Sequence, residues 1–240
     1  MTETPLLSLR GLSKDFTIHL RTVRGGLVIP GFSGVSFDAQ ASSLLALTGP
    51  SGTGKSSLLK CIYRTYLPTA GEIIYRAEQG PLDLASAGDG AILSLRRSEI
   101  GYVSQFFHVM PRVSALDILM EPLLTRGVSR SEALERAQAL LLEAGLGRAL
   151  WDMYPATFSG GEKQRLNILR AIITRPRLLL LDEPTASLDR GFKERIMRMI
   201  LDLKAQGAAM VGVFHDRDAL LSLSDRRYDM SLGRCCAVDE

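Results

Sequence analysis

Residues 43–62 read SLLALTGPSGTGKSSLLKCI: an apolar run, a glycine-rich turn and then a segment with helical spacing. The turn fits the pattern G-x-x-x-x-G-K-[S/T], and it lies between a strand-like and a helix-like stretch, as the pattern requires. The backbone amides of such a loop, with the N-terminus of the following helix, can surround a phosphate. We therefore predict a nucleotide site on an α/β sheet. The predicted phosphate-loop residues are Gly49, Pro50, Ser51, Gly52, Thr53, Gly54, Lys55, Ser56 and Ser57.

Two residues of this loop and two acids further along the chain could together bind a nucleotide with its Mg²⁺ and activate a water. We expect Lys55 to bridge the β- and γ-phosphates of the nucleotide and Ser56 to give its hydroxyl oxygen to Mg²⁺. The segment LLLLDEP, residues 178–184, places two acids after an apolar run that resembles a buried strand. Asp182 can hold the Mg²⁺ shell, and Glu183 can polarise a water for attack on the γ-phosphate.

Two polar residues follow other predicted strands. Gln105 comes after IGYVS, and His215 follows the apolar run AMVGVF. Open α/β sheets bind their ligands at the carboxyl ends of the strands. Gln105 could therefore reach Mg²⁺ or the attacking water, and His215 could contact the γ-phosphate. Gln105 could instead be an ordinary polar loop residue, and His215 could be a structural histidine.

A second glycine-rich turn lies in FSGGEKQRLNILRAI, residues 158–172. It precedes a segment with an apolar helical face formed by Leu166, Leu169, Ile172 and Ile173. The amides and the positive dipole end of such a helix suit a phosphate. This turn has no lysine, so we expect it to complete the site of another subunit rather than to bind nucleotide alone. Its residues are Ser159, Gly160, Gly161 and Glu162.

The remaining pattern predicts an α/β protein with a helical insertion. The first forty residues and GEIIYRA predict strands, PLDLASAGDGA (81–91) predicts a loop, and strand–helix alternation returns after Pro176. Residues 106–148 are mostly helical in pattern, and Ser131 is a candidate N-cap. The predicted shared face of that second helix consists of Leu134, Ala137, Leu140 and Leu141.

Composition narrows the class of protein. Of the 240 residues, 46% are hydrophobic, which allows a sizeable core. The net charge of +3 comes from scattered residues, which do not indicate a nucleic-acid partner.

The three cysteines, Cys61, Cys235 and Cys236, have neither disulfide nor metal-ligand spacing. We expect a buried Cys61 and a mobile tail around the other two. No apolar run approaches the ~20 residues that span a bilayer. We expect a cytoplasmic protein that inserts into no membrane itself.

The ordered set GPSGTGKS, Gln105, FSGGEKQR, LLLLDEP, SLD and His215 resembles the ATP-binding cassette (ABC) ATPase family across essentially the whole chain. The resemblance implies one α/β domain over residues 1–240: a P-loop NTPase core, an N-terminal antiparallel β-subdomain and an inserted helical subdomain. The core would comprise residues 1–105 and 166–240, and the helical subdomain residues 106–165. The implied activity is Mg²⁺-dependent hydrolysis of ATP.

The same resemblance implies further roles. It implies a head-to-tail dimer, with itself or with a paralogous ABC protein, in which residues 159–162 of one subunit close over ATP held by Lys55 of the other. Asp189 would lie at that interface. Phe16 would stack on adenine, although it could also be a core aromatic of the first sheet. Phe158 and Glu162 replace the leucine and glutamine that are frequent in the family, and we expect both to leave the amides of the turn free.

Within the family, the stretches CIYRTYLPTAGEI and IGYVSQFFHVMPRVSALDILMEPLL are most similar to the PhnL-type ATPase of the carbon–phosphorus lyase system, which degrades phosphonates. This resemblance predicts an accessory subunit bound to carbon–phosphorus lyase components. The alternative is the ATPase of a lipoprotein-release or macrolide-export transporter, which shares much of residues 105–124. A DNA-repair or translation cassette would need a coiled-coil insertion or a second cassette. The apolar segment FFHVMP, residues 106–111, could contact either kind of partner or belong to the helical core.

Overall fold

The computed structural model describes residues 4–18, 27–107, 111–185 and 188–236, which form two sheets, seven α-helices and two short 3-10 helices. The strands are β1 (Leu7–Ile18), β2 (Leu27–Ala39), β3 (Leu44–Thr48), β4 (Ala70–Ala77), β5 (Gly80–Asp83), β6 (Ile100–Val103), β7 (Leu178–Asp182), β8 (Ala209–Val213), β9 (Arg226–Asp229) and β10 (Arg234–Cys236). The helices are α1 (Lys55–Ile62), α2 (Asp89–Ser98), α3 (Ala115–Thr125), α4 (Arg130–Glu143), α5 (Gly160–Ile172), α6 (Arg190–Ala205) and α7 (Arg217–Leu223).

The central sheet has the order β10-β9-β3-β8-β7-β6, and all its pairs are parallel except β10 with β9. Strands β7 and β8 are buried along their whole length, because helices or a second sheet cover both faces. Alternate residues of β7 enter two different cores: Leu178 and Leu180 belong to one, Leu179 and Leu181 to the other. The apolar runs predicted as buried strands are confirmed.

The second sheet is antiparallel, with the order β2-β1-β4-β5. Its buried residues, among them Leu9, Val35 and Ile73, share a core with α1 and with one face of the central sheet. Segment 81–91, predicted as a loop, contains the end of β5 and the start of α2 instead. The buried Ile92 and Leu95 attach α2 to this core, so packing rather than local propensity defines that helix.

Helices α3 and α4 lie between β6 and α5 in the chain, and α3 packs on both α4 and α5. The N-cap of α4 is Ser129, whose hydroxyl accepts from the Glu132 amide, so the prediction of Ser131 as the cap is wrong. Ala137 and Leu141 are buried as predicted, but Leu134 is 36% exposed and lies at the margin of that face. The structure confirms the α/β fold with an antiparallel β-subdomain and a helical region; the limits 106–165 remain a prediction.

The cysteines differ from one another in environment. Cys61 is buried in α1 as predicted, and burial raises the pKa of its thiol to about 11. Cys235 and Cys236, expected in a mobile tail, lie in β10 and pair with β9. Burial raises the pKa of Cys235 as well. Over the described ranges, no helix is both long enough and apolar enough to cross a membrane.

Candidate active site

Four predicted site segments meet at the carboxyl edge of the central sheet. The phosphate loop follows β3, Asp182 ends β7, and Gln105 and His215 come just after β6 and β8. Parallel pairing of β6, β7, β8 and β3 brings these ends together. A cavity of about 290 Å³ at this edge is lined by Ser51, Gly52, Gly54, Lys55, Ser56, Ser57, Glu183 and His215, whereas Asp182 and Gln105 are not part of its lining.

The phosphate loop has a backbone shape that requires glycine. Gly54, the N-cap of α1, has φ = 89°, in the left-handed region that disfavours other residues. A Cβ there would also lie 2.6 Å from the Gly31 carbonyl oxygen on β2. Inside the loop, the Lys55 Nζ donates to the carbonyl oxygens of Gly49 and Pro50, each at 2.8 Å. The loop therefore holds a lysine ammonium beside the amides at the start of α1, a combination that suits a phosphate chain.

Two of the three predicted Mg²⁺ ligands, Ser56 and Asp182, are adjacent. The Ser56 hydroxyl donates to Asp182 Oδ1 at 2.8 Å, and Asp182 is only 1% exposed. Burial raises the pKa of Asp182, whereas hydrogen bonds from Ser56 and Tyr102 act in the opposite direction. A hydroxyl and a carboxylate oxygen are the kind of ligand that Mg²⁺ takes in combination with phosphate oxygens. The residues present fit a Mg²⁺–nucleotide complex.

Glu183 is held between two polar side chains. Its Oε1 lies 2.8 Å from the His215 Nε2, and its Oε2 accepts from the Gln105 Nε2 at 3.2 Å. Its backbone φ of 54° is in the left-handed region, a conformation that costs about 1 kcal/mol or more for a non-glycine residue. The Glu183 amide donates to the Val213 carbonyl of β8 at 3.1 Å, which helps to hold that conformation. The carboxylate can thus accept a proton in a fixed orientation at the cavity wall.

Phe16 lies near the phosphate loop and outside both buried cores. A Cβ on Gly31 would be 2.8 Å from the Phe16 ring, and a Cβ on Gly54 would be 2.6 Å from the Gly31 carbonyl oxygen. The Phe16 ring is half-buried, makes an edge contact with Tyr66 at 5.4 Å between centroids, and has the Lys14 Nζ 5.1 Å from its centre. This placement disagrees with a core aromatic. Stacking on adenine remains a prediction.

The second glycine-rich turn begins α5 with a capping box. The Ser159 hydroxyl accepts from the Glu162 amide at 3.3 Å, while Glu162 Oε2 accepts from both the amide and the hydroxyl of Ser159 at 2.8 Å. These bonds from Ser159 lower the pKa of Glu162. The expectation that Glu162 leaves all the amides free is therefore wrong for Ser159. The amides of Gly160 and Gly161 belong to the first turn, where the helix offers no internal acceptor.

Asp189 links α5, the helix that begins at this turn, to α6. Its Oδ1 accepts from the Phe192 amide at 3.0 Å and caps α6, and its Oδ2 forms an ion pair with Arg165 of α5. The guanidinium of Arg165 also lies 4.3 Å from the Phe192 ring centre. The residues of the second turn do not line the phosphate cavity. Within one chain the structure thus separates the two turns, and the interface role of Asp189 stays a prediction.

Sequence reasoning missed Tyr102, whose hydroxyl donates to Asp182 Oδ2 at 3.1 Å. Tyr102 pairs with Leu180 in the register of β6 and β7, so it points to the same face as Leu180 and Asp182. The sequence shows Tyr102 three residues before Gln105, but the register that brings it to Asp182 depends on tertiary pairing.

With this geometry established, comparisons with known proteins define the family. Residues 32–186 match the family model described as ABC transporter. The chain is 34% identical over 213 residues to an uncharacterized ABC transporter ATP-binding protein, YvrO, of Bacillus subtilis, covering 89% of this chain and 88% of that protein. It is 38% identical over 215 residues to the lipoprotein-releasing system ATP-binding protein LolD 2 of Caulobacter vibrioides, covering 89% and 90%.

A solved structure has the same fold over nearly the whole chain. It is a dimeric, post-hydrolysis state of the ATP-binding cassette MJ0796 bound to ADP and Pi, with a TM-score of 0.84, 28% identity and coverage of 97% of this chain and 98% of that one. The family match and this fold agree with the motifs and with the cavity at the sheet edge. The chain is a member of the ABC transporter ATP-binding family, a Mg²⁺-dependent ATPase that binds ATP.

Proposed function

We propose that this ATPase energises a membrane transporter of the lipoprotein-release or macrolide-export type, at the cytoplasmic face of the membrane. The observation that carries the proposal is the 38% identity to the lipoprotein-releasing ATPase LolD 2 over 89% of this chain and 90% of that protein. The reading preferred from sequence alone, an accessory subunit of carbon–phosphorus lyase, has no support among these relatives. Their names favour the transporter alternative.

The proposed roles follow the geometry of the sheet edge. Lys55 and the amides of the phosphate loop hold the β- and γ-phosphates, while Ser56 and Asp182 hold Mg²⁺. When bound, Mg²⁺ supplies positive charge that balances the phosphate oxygens. Glu183 polarises the attacking water, and its contacts with Gln105 and His215 keep the carboxylate aimed at the cavity. Gln105 could also reach Mg²⁺, and His215 the γ-phosphate.

We also propose that two subunits share each ATP in a head-to-tail dimer. The turn at residues 159–162 lacks a lysine and does not line its own chain's phosphate cavity. The amides of Gly160 and Gly161, at the positive end of α5, are suited to the γ-phosphate held by a second subunit. The related cassette MJ0796 is dimeric in its ADP- and Pi-bound structure, which supports this arrangement.

The transporter partner would contact the start of the helical region. Phe106 is 72% exposed, the highest value among the large apolar side chains that the structure describes, whereas Phe107 packs against a buried core. The sequence alone does not distinguish which residues of FFHVMP, residues 106–111, would contact a partner. Phe107 is a poor docking candidate because of its packing, and Met110 lies outside the described residues. Phe106 is the better residue with which to test docking.

The test is recovery of partners from separated membrane and soluble fractions with the tagged full chain. We expect a membrane permease to co-purify from the detergent-solubilised membrane, and Phe106→Glu to reduce its recovery while basal ATP hydrolysis persists. Leu232→Glu is the matched control, because Leu232 is also apolar, 59% exposed and located in the turn before β10.

A growth assay separates the transporter from the phosphonate reading. Cells lacking the gene should grow normally with a phosphonate as the sole phosphorus source. Loss of that growth, together with recovery of carbon–phosphorus lyase components from the soluble fraction, would overturn the transporter proposal.

A further inference from the structure

Both carboxylate oxygens of Asp182 accept a hydrogen bond, and the two donors lie on different elements of the fold. Oδ1 accepts from Ser56 in the phosphate loop at 2.8 Å, and Oδ2 accepts from Tyr102 on β6 at 3.1 Å. A carboxylate that is only 1% exposed loses most of its hydration, so its donors determine both its charge and its orientation. The Ser56 oxygen would itself turn to Mg²⁺ when the metal binds. Tyr102 is then the protein donor that stays on Asp182.

The Tyr102 hydroxyl is held in place by packing. Its ring lies against Tyr63, with 4.9 Å between the centroids and 35° between the planes. Tyr63, which follows α1, is in turn covered by the guanidinium of Arg96, 4.4 Å from the ring centre, and its carbonyl accepts from the Arg96 Nε at 2.9 Å. Rotation of the Tyr102 ring away from Asp182 would disturb this stack.

The direction of the bond follows from the chemistry of the two groups. A phenol hydroxyl has one hydrogen to donate, and an ionised carboxylate can only accept, so Tyr102 is the donor to Oδ2. With Oδ2 held in this way, Oδ1 stays directed toward Ser56.

We propose that Tyr102 is a positioning residue, which fixes the carboxylate of Asp182 for Mg²⁺ without touching the metal or the nucleotide. The inference rests on the metal-binding role proposed above for Asp182. Partners that orient a metal ligand from behind commonly change metal affinity by about 10- to 100-fold when they are removed. We expect an effect in this range from the loss of a single hydroxyl.

The test uses Tyr102→Phe, which keeps the ring against Tyr63 and removes only the hydroxyl. The matched control is Tyr63→Phe, which removes a neighbouring hydroxyl that does not bind Asp182. Asp182→Asn is the reference for loss of the metal ligand. The measurement is the affinity of each full-length variant for a non-hydrolysable ATP analogue, once with Mg²⁺ and once with EDTA. The ratio of the two affinities reports how strongly the protein interacts with the metal.

We expect Tyr102→Phe to lower this ratio about tenfold or more, with affinity in EDTA and thermal midpoint close to wild type. Tyr63→Phe should leave the ratio unchanged. A purely structural role for Tyr102 would instead lower the thermal midpoint and both affinities together, and that result would overturn the inference. If Asp182→Asn lowers the ratio but Tyr102→Phe does not, the inference is also wrong. If Asp182→Asn itself leaves the ratio unchanged, the metal role proposed for Asp182 fails first.

Discussion

Replacement of Glu183 by glutamine should stop hydrolysis while leaving ATP binding intact. The amide has the shape of the carboxylate, and its oxygen can still accept one of the two present hydrogen bonds, from His215 or Gln105. The Gln105 amide can turn its oxygen toward the new NH₂ group, so the cavity wall should keep its geometry. Only the negative charge and the proton acceptor disappear. General bases contribute about 10²- to 10⁴-fold to rates, which corresponds to a barrier increase of about 2.7–5.4 kcal/mol.

The assay is release of inorganic phosphate at saturating Mg²⁺ and ATP, with nucleotide affinity measured in parallel. The matched control is Glu194→Gln on α6, which removes the same charge from an exposed ion pair with Arg190. We expect wild-type turnover from this control. A folded Glu183→Gln protein with turnover within threefold of wild type would refute the assignment of Glu183 as the base. A parallel loss of ATP affinity would indicate a damaged cavity instead.

Three further outcomes are expected. Lys55→Ala should weaken ATP binding about 10- to 100-fold by equilibrium titration, because it removes a charge-assisted hydrogen bond to phosphate; unchanged affinity would contradict the role of the loop. Cys61 should resist iodoacetamide at pH 8 in the native protein, since a pKa of about 11 leaves about one thiol in a thousand ionised. Peptide mapping would locate the labelled cysteines, and rapid labelling of Cys61 in the native protein would contradict its burial. Leu180→Ala should destabilise the protein by about 2–5 kcal/mol in denaturant unfolding, since Leu180 is fully buried; a change under 1 kcal/mol would argue against this core.

The sequence predicted those parts of the site whose chemistry is local. The phosphate loop needs its glycines and lysine at fixed spacing, and Asp182 and Glu183 follow directly on the apolar run of β7. Both features can be read without any tertiary information. The capping box at Ser159 was also visible, because a serine followed three residues later by glutamate is its usual signature.

Features that depend on tertiary packing could not be predicted from the sequence. Helix α2 contains Gly90 in its first turn, a weak helix former, and it is held by the burial of Ile92 and Leu95. Ser131 was the predicted cap of α4, and only the backbone geometry shows that Ser129 reaches the Glu132 amide. The contact of Tyr102 with Asp182 joins residues 80 positions apart and requires the register of two strands.

The central claim of a shared ATP site is tested most directly by sedimentation velocity in the Glu183→Gln background with Mg²⁺ and ATP. Adding Ser159→Arg places a bulky cation where the γ-phosphate of the other subunit would enter. It also removes the N-cap of α5, an effect of about 1 kcal/mol. Ser129→Arg is therefore the matched control, since it removes the N-cap of α4 in the same way. We predict ATP-dependent dimers for Glu183→Gln alone and with Ser129→Arg, and monomers with Ser159→Arg that still bind ATP; dimers that form equally well with Ser159→Arg would contradict the shared site.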